Sequence, residues 1–193
     1  MKLRQSLLFI YVLLSAAAYA QTQTPTFSKN ALRYGLGAGL ADTHKSTGVG
    51  VNFSVGYQRT VINDRFRINP NFLYGYYNAN LISDVPDQWF NSLNLQFLFH
   101  GDIIRYKAFS ITLSTGAVFN NTRGLIGTGG ENQTTNRSEY FSLWHTASYI
   151  SGCLRINPAK SAVAFELSPL TIQANSSRFF EGGIRLSMDV KLR

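Results

Sequence analysis

The stretch FEGGIRLSMDVKLR, Phe180 to Arg193, alternates two chemistries residue by residue. Phe180, Gly182, Ile184, Leu186, Met188, Val190 and Leu192 fall on one parity; Glu181, Gly183, Arg185, Ser187, Asp189, Lys191 and Arg193 fall on the other. Successive side chains of a β-strand point to opposite faces, so this is a strand with an apolar face and a charged face. A soluble sandwich would lay the apolar face on a core. A transmembrane barrel would lay it on lipid and turn the charges into its lumen.

Upstream, the alternation recurs. Leu32, Tyr34, Leu36, Ala38 and Leu40 alternate with Arg33, Gly35, Gly37 and Gly39, and Val49 to Gln58 keeps one parity unbroken. Phe66, Ile68, Phe72, Tyr74 and Tyr76 then oppose Arg65, Arg67, Asn69 and Asn71, with Pro70 predicting a bulge because it lacks a ladder donor. Leu93 to Phe99 and Phe109 to Phe119 form the next two strands, joined by a tight connection over Asp102 to Lys107. Folded about its centre, that hairpin brings His100 near Ser110 and Gln96 near Ser114. The sixth strand, near Tyr140 to Leu154, mixes parities, so either a bulge switches its faces or both faces are partly buried. Val163, Phe165 and Leu167 oppose Ala162, Ala164 and Glu166 in the seventh.

The count is eight, an even number. Connections are short after strands two, four and six and longer, on balance, after the others, with polar loops at Asn78 to Asn91, Asn120 to Ser138 and Gln173 to Arg178. Membrane barrels keep that asymmetry, short turns on the periplasmic side and longer loops outside. The expected fold is therefore all-β, an eight-stranded antiparallel up-and-down transmembrane barrel over residues 31–193. A soluble exported barrel is its structural rival.

The start of the chain supports export. Lys2 and Arg4 precede an apolar run from Leu7 to Ala18 and a small-residue site at Ala18, Tyr19 and Ala20, the anatomy of a signal peptide cleaved after Ala20. Residues 1–20 are thus read as signal peptide and 21–30 as a free N-terminal segment. The mature 173 residues (193 − 20) are one domain by length, and their charge excess is +6 once Lys2 and Arg4 leave the +8 of the whole chain. The basic residues are scattered in an exported chain, which argues against nucleic acid as a partner. Cys153 stands alone, so no intramolecular disulfide forms. No mature run of 18 apolar residues exists to make a helical span.

At this point the chain resembles the small eight-stranded outer-membrane barrels of Gram-negative bacteria, the class that includes the OmpA transmembrane domain, OmpX and OmpW. The resemblance rests on the signal peptide, the alternation, the strand count and the loop asymmetry. It implies residence in the outer membrane, contact with outer-membrane lipid, and handling by the barrel-assembly machinery during insertion. The closing strand carries Gly183, Leu186 and Met188 at a spacing similar to insertion signals of that class, with Arg193 where an aromatic residue is usual. Tyr57, Phe66, Tyr106 and Phe109 near the short turns, and Tyr76, Phe119, Tyr140 and Phe180 near the long loops, suit two interfacial girdles.

The polar faces collect Arg33, Arg65, Arg67, His100, Glu166, Glu181, Arg185, Asp189 and Lys191. An eight-stranded interior is only wide enough for side chains to fill. Buried charges there need partners, so Glu166, Glu181 and Asp189 are expected to pair with the arginines, as a plugged core or as the lining of a narrow porin-like channel. Barrels of this size also include lipid A deacylases and palmitoyltransferases, which need a histidine near a serine. His145 is followed by Thr146 and Ala147 and differs in parity from Ser148, while His100 and Ser110 would meet only inside the barrel. Gly124 to Gly130 lacks the lysine of a phosphate loop, and the histidines are too dispersed for a metal. The reading is a non-enzymatic barrel with no catalytic residues, cofactor or metal, whose surface loops make contacts with a partner that the sequence does not identify.

Overall fold

The computed structural model describes residues 29–62, 65–79, 88–127, 138–158, 161–175 and 179–192. The expected signal peptide and nearly all of the segment 21–30 lie outside these, as does Arg193. Eight strands follow in order: β1 (Asn30–Thr43), β2 (Ser46–Ile62), β3 (Phe66–Asn78), β4 (Trp89–Tyr106), β5 (Phe109–Gly127), β6 (Ser138–Ile156), β7 (Val163–Ala174) and β8 (Phe179–Leu192). Each pairs antiparallel with the next, and β8 returns to β1, closing the ring. Closure removes the sheet edges that an open sheet would have to protect.

The register fixes the shape of the barrel. Pairs lead from Leu154 through Leu167, Leu186, Leu36, Phe53, Tyr74, Leu93 and Asn121 to Trp144, ten residues up β6 from the start (154 − 144). With strands about 4.8 Å apart and about 3.3 Å per residue, that stagger tilts the strands roughly 40° from the axis and sets a backbone radius of about 8 Å. It also puts Trp144 about 25 Å above Leu154, the height of a lipid-facing band. All but Asn121 on this circuit are large apolar residues turned outward, with Leu36 66% and Trp144 75% exposed.

Inside and outside are inverted relative to a soluble protein. The outer face carries Leu36, Val51, Phe53, Phe97, Phe99, Ile184 and their neighbours, while the buried set includes Arg33, Arg67, Asn69, Asn94, Gln96, Glu166 and Asp189. An exposed apolar belt of this extent marks a surface meant for something other than water. All eight aromatic residues of the expected girdles point outward. Trp144 stands at the upper edge of the belt, and Tyr140 lies four residues farther out, about 10 Å higher on the same geometry.

Several local expectations are corrected. Asp102 to Lys107 is not a connection: β4 runs on to Tyr106 and turns at Lys107 and Ala108, with Lys107 in the left-handed region (φ 53°). His100 therefore pairs with Ser114 and Gln96 with Val118, four residues from the expected register; an even shift keeps every side chain on its own face. The ladder slips between Asp102 and Ile104, so Ile103 and Ile104 both face out and Arg105 turns inward. Pro70 makes no bulge. Register is unchanged across it, and the Asn69 side-chain amide donates to the Tyr57 carbonyl at 2.9 Å, supplying the donor that proline lacks. The proline bulge is instead at Pro169, where β7 carries one extra residue between Ser168 and Thr171 against both neighbours.

β6 is regular against β5 along its whole length. Its odd residues face inward, and Phe141, Leu143, Ala147 and Tyr149 are apolar because they build clusters inside the barrel: Leu98, Val118, Ala147, Tyr149 and Phe179 in one, Ala41, Tyr77, Phe90 and Phe141 in another. Of the alternatives for this strand, apolar residues on both faces is the one realised. The expected loop Asn120 to Ser138 shrinks to 128–137, since Asn120 to Gly127 extend β5, and the connection after β1 is only His44 and Lys45, closed by hydrogen bonds between Thr43 and Ser46. β6 from Ser138 to Ala147 pairs with β5 alone among the described residues, so the β5–β6 hairpin stands above the rest of the ring.

Large inward rings fit a narrow bore only where the wall is bare. Tyr77 stacks on Phe90 with centroids 5.1 Å apart and lies over Gly50, where an added Cβ would meet the Tyr76 carbonyl and stand 2.7 Å from the Tyr77 ring. Gly50→Ala is expected to lower the unfolding free energy by about 1–3 kcal/mol, as overpacking does. Outward-facing Gly152, whose Cβ would meet nothing within 4 Å, supplies the control: Gly152→Ala leaves the urea midpoint unchanged, whereas Gly50→Ala shifts it down.

Candidate functional site: the barrel lumen

The strand alternation that faces leucines outward faces a layer of charge inward near the short-turn end. Arg33 on β1 donates to Glu166 on β7 and, at 3.1 Å, to Asp189 on β8. Arg67 on β3 reaches the other oxygen of Glu166 at 3.4 Å and Asp102 on β4 at 2.7 Å. Arg105 adds 2.6 Å to Asp102, and Arg155 on β6 adds 3.0 Å to Asp189. The result is a chain of alternating sign, Arg105, Asp102, Arg67, Glu166, Arg33, Asp189 and Arg155. Gln58 on β2 bridges Arg33 and Asp189, and Thr112 on β5 bridges Arg67 and Asp102, so all eight strands contribute. Each carboxylate of the layer is 8% exposed or less, which makes pairing obligatory rather than decorative.

One contact decides what this layer does to the bore. β3 and β7 are four positions apart in a ring of eight, so the Arg67 to Glu166 bond spans the lumen diametrically. Above it, Gln96 on β4 donates to Gln173 on β7 at 3.2 Å and accepts from Asn71 at 2.9 Å, a second tie across the bore. Higher still, Asn120 joins Asn94 and Ser92, and the Tyr77, Phe90 and Phe141 cluster follows. The lumen is layered: ions, then amides, then aromatic rings. At the short-turn mouth, the cavity between Asp102, Arg105, Ser110, Arg155 and Asn157 has about 10 Å³, no more than one water needs.

The expected lumenal residues divide. Arg33, Arg67, Glu166 and Asp189 are joined in the layer, and His100 sits beside it, its Nδ1 2.6 Å from Ser114 Oγ and 4.0 Å from Glu166. Arg65 is not in the lumen: it precedes β3, in the turn, where strand parity no longer orients a side chain, and is exposed. Among the described residues Lys191 makes no ion pair; its Nζ donates to the Pro158 and Ser161 carbonyls at 2.8 Å each and ties down the β6–β7 connection. Glu181 and Arg185 are buried in the amide layer without an ion pair among the described residues. Glu181 accepts from Asn52 at 3.4 Å, and Arg185 Nε and Nη2 have no hydrogen-bond partner. Asp102, Arg105 and Arg155 were missed. The first two fall within the expected connection Asp102 to Lys107, and Arg155 falls one residue past the expected end of the sixth strand at Leu154, although its parity with Ser151 and Cys153 marks it as inward.

No family model and no curated protein matches the chain. Solved structures do. Neisserial surface protein A (NspA) superposes with a TM-score of 0.59 at 12% identity, over 86% of this chain and 98% of NspA. Ail, the attachment invasion locus protein of Yersinia pestis, gives 0.54 at 15% identity, over 84% of this chain and 97% of Ail. The fold is that of the small eight-stranded outer-membrane barrels. At these identities the likeness is one of backbone. An outer-membrane barrel fold explains both the apolar belt and the polar interior, which no water-soluble packing of the same strands would favour.

Proposed function

We propose that the protein is an integral outer-membrane β-barrel with no catalytic role, closed to solutes by its own side chains, and that it works through contacts made at its outer end. The observation that carries the closed lumen is the diametric Arg67 to Glu166 ion pair, backed by the Gln96 to Gln173 tie above it. A narrow solute channel would have to break both. With the bore filled, the parts left to meet a partner are the connections 79–88 and 128–137 and the raised β5–β6 hairpin. The names of NspA, a surface protein, and Ail, an attachment invasion locus protein, agree with work done at a cell surface. In this reading the apolar belt meets outer-membrane lipid, the short turns face the periplasm, and the assembly machinery inserts the chain.

A lipid A-modifying activity has little support. The histidine and serine that meet, His100 and Ser114, do so beside the charged layer in the short-turn half, away from the outer leaflet, and His145 faces inward while Ser148 faces out. Lipid A mass spectra of cells with and without the gene are expected to be identical; a changed acylation pattern would return the enzyme reading. Location is tested separately. The protein should partition with outer membranes and migrate faster on a gel unheated than boiled, because a closed barrel resists detergent. Recovery in the soluble fraction, with no heat-dependent shift, would sink the membrane reading.

A further inference from the structure

The charge of this barrel is sorted by height. In the lumen, Arg33, Arg67, Arg105, Arg155 and Arg185 face Asp102, Glu166, Glu181 and Asp189. Beyond the belt at the outer end, the described charged side chains are Lys45 and Arg123 against Asp42 and Glu139; at the short-turn end they are Lys29, Arg59, Arg65, Lys107 and Lys191, with no acidic side chain among the described residues. Among the described residues the balance is thus zero outside, +1 within and +5 at the short turns. Among the described residues there, Lys29, Arg59, Arg65 and Lys107 are exposed, and none of the four ion-pairs with a carboxylate.

The cations do not stand alone. Arg59 is followed on the same face by Val61, Arg65 adjoins Phe66, and Lys107 lies 5.3 Å over the Tyr106 ring beside Ile103 and Ile104, all of them exposed apolar groups at the lower edge of the belt. A soluble polyanion would satisfy the cations and leave these side chains in water. A molecule with an anionic head and an acyl body satisfies both. We propose that the short-turn rim is a binding surface for anionic glycerophospholipid, phosphate on Arg59, Arg65 and Lys107, and acyl chains on Val61, Phe66 and the Ile103–Ile104 pair. The proposal rests on the membrane reading above. Clustered basic residues at a bilayer surface attract anionic lipid in this way, and salt screens the attraction.

The test is native mass spectrometry of the full barrel released from bilayers of equal phosphatidylcholine and phosphatidylglycerol. Phosphatidylglycerol should be retained over phosphatidylcholine by about fivefold or more, falling toward parity in 0.5 M salt and in the triple variant Arg59→Gln, Arg65→Gln, Lys107→Gln. Equal retention of the two lipids, or enrichment that survives the triple substitution, overturns the proposal. So does displacement by soluble glycerol phosphate, which would reassign the rim to free phosphate. Heat-modifiable migration after folding in pure phosphatidylcholine keeps the two readings apart. A barrel that folds there but shows no lipid preference loses the rim alone; one that folds in neither bilayer loses both.

Discussion

Glu166→Gln is expected to lower the unfolding free energy of the barrel by about 3–5 kcal/mol, the cost of breaking a buried pair from one side. Glu166 is the joint of the charged layer, taking Arg33 on one oxygen and Arg67 on the other at 1% exposure. Arginine does not release its proton, so removing the carboxylate charge leaves two guanidinium groups facing one another in a water-poor bore. Glutamine keeps the volume and one acceptor, so the loss reports charge and not a cavity. The measurement is urea unfolding in lipid vesicles, followed by tryptophan fluorescence. Glu139→Gln, on an exposed residue of the raised hairpin, is the control and should move the midpoint by less than about 0.5 kcal/mol. A Glu166→Gln change no larger than the control would mean that the layer does not hold the staves together.

Leu36→Arg is the second large effect, and its sign separates the two environments the apolar face could have. Leu36 is 66% exposed and lies near mid-height of the belt, between Leu186 and Phe53 on neighbouring strands. In water such a change would be close to neutral, since nothing packs over the residue. In a bilayer an arginine at the midplane of the lipid face costs about 2–4 kcal/mol, falling to about 0–1 kcal/mol near the interface. Leu192→Arg, at the short-turn end of β8, should therefore cost much less than Leu36→Arg in the same vesicles. Equal costs at the two positions would contradict a belt embedded in lipid.

The architecture was legible because a period of two, kept over eight segments, has few solutions once a closing strand shows charges on one face and leucines on the other. Register was not. The alternation survives any even shift, so nothing in it could distinguish His100 against Ser110 from His100 against Ser114. Asp102, Arg105 and Lys107 look like turn residues in a chain whose turns are polar, yet two of the three are buried or half-buried ions that complete the lumenal layer. The same composition serves both ends of a strand, and only pairing tells them apart. β6 misled for the opposite reason. Phe141 and Leu143 are apolar on the inward face because they pack on the cluster of Ala41, Tyr77 and Phe90, and Tyr149 because it packs with Leu98, Val118 and Phe179, a complementarity between strands distant in sequence.

Arg65 and Lys191 show the limits of parity at strand ends. One residue before β3 the backbone is already turning, and at the mouth of the bore Lys191 finds carbonyls of a connection nearer than any carboxylate among the described residues. Prolines carried the opposite lesson. Pro70 is tolerated without a bulge because the preceding asparagine replaces its missing donor, a substitution that depends on Tyr57 being opposite. Pro169 had no such neighbour, and there the strand does take an extra residue.

The most direct test of a lumen closed across its diameter is single-molecule conductance of the purified barrel in a planar bilayer. The Arg67 to Glu166 and Gln96 to Gln173 ties predict a membrane that shows barrel insertion by heat-modifiable recovery yet passes no steady current in 1 M KCl. A stable, ohmic open state in the unmodified protein would contradict the proposal, because the diametric Arg67 to Glu166 pair and the Gln96 to Gln173 tie would both have to part for it.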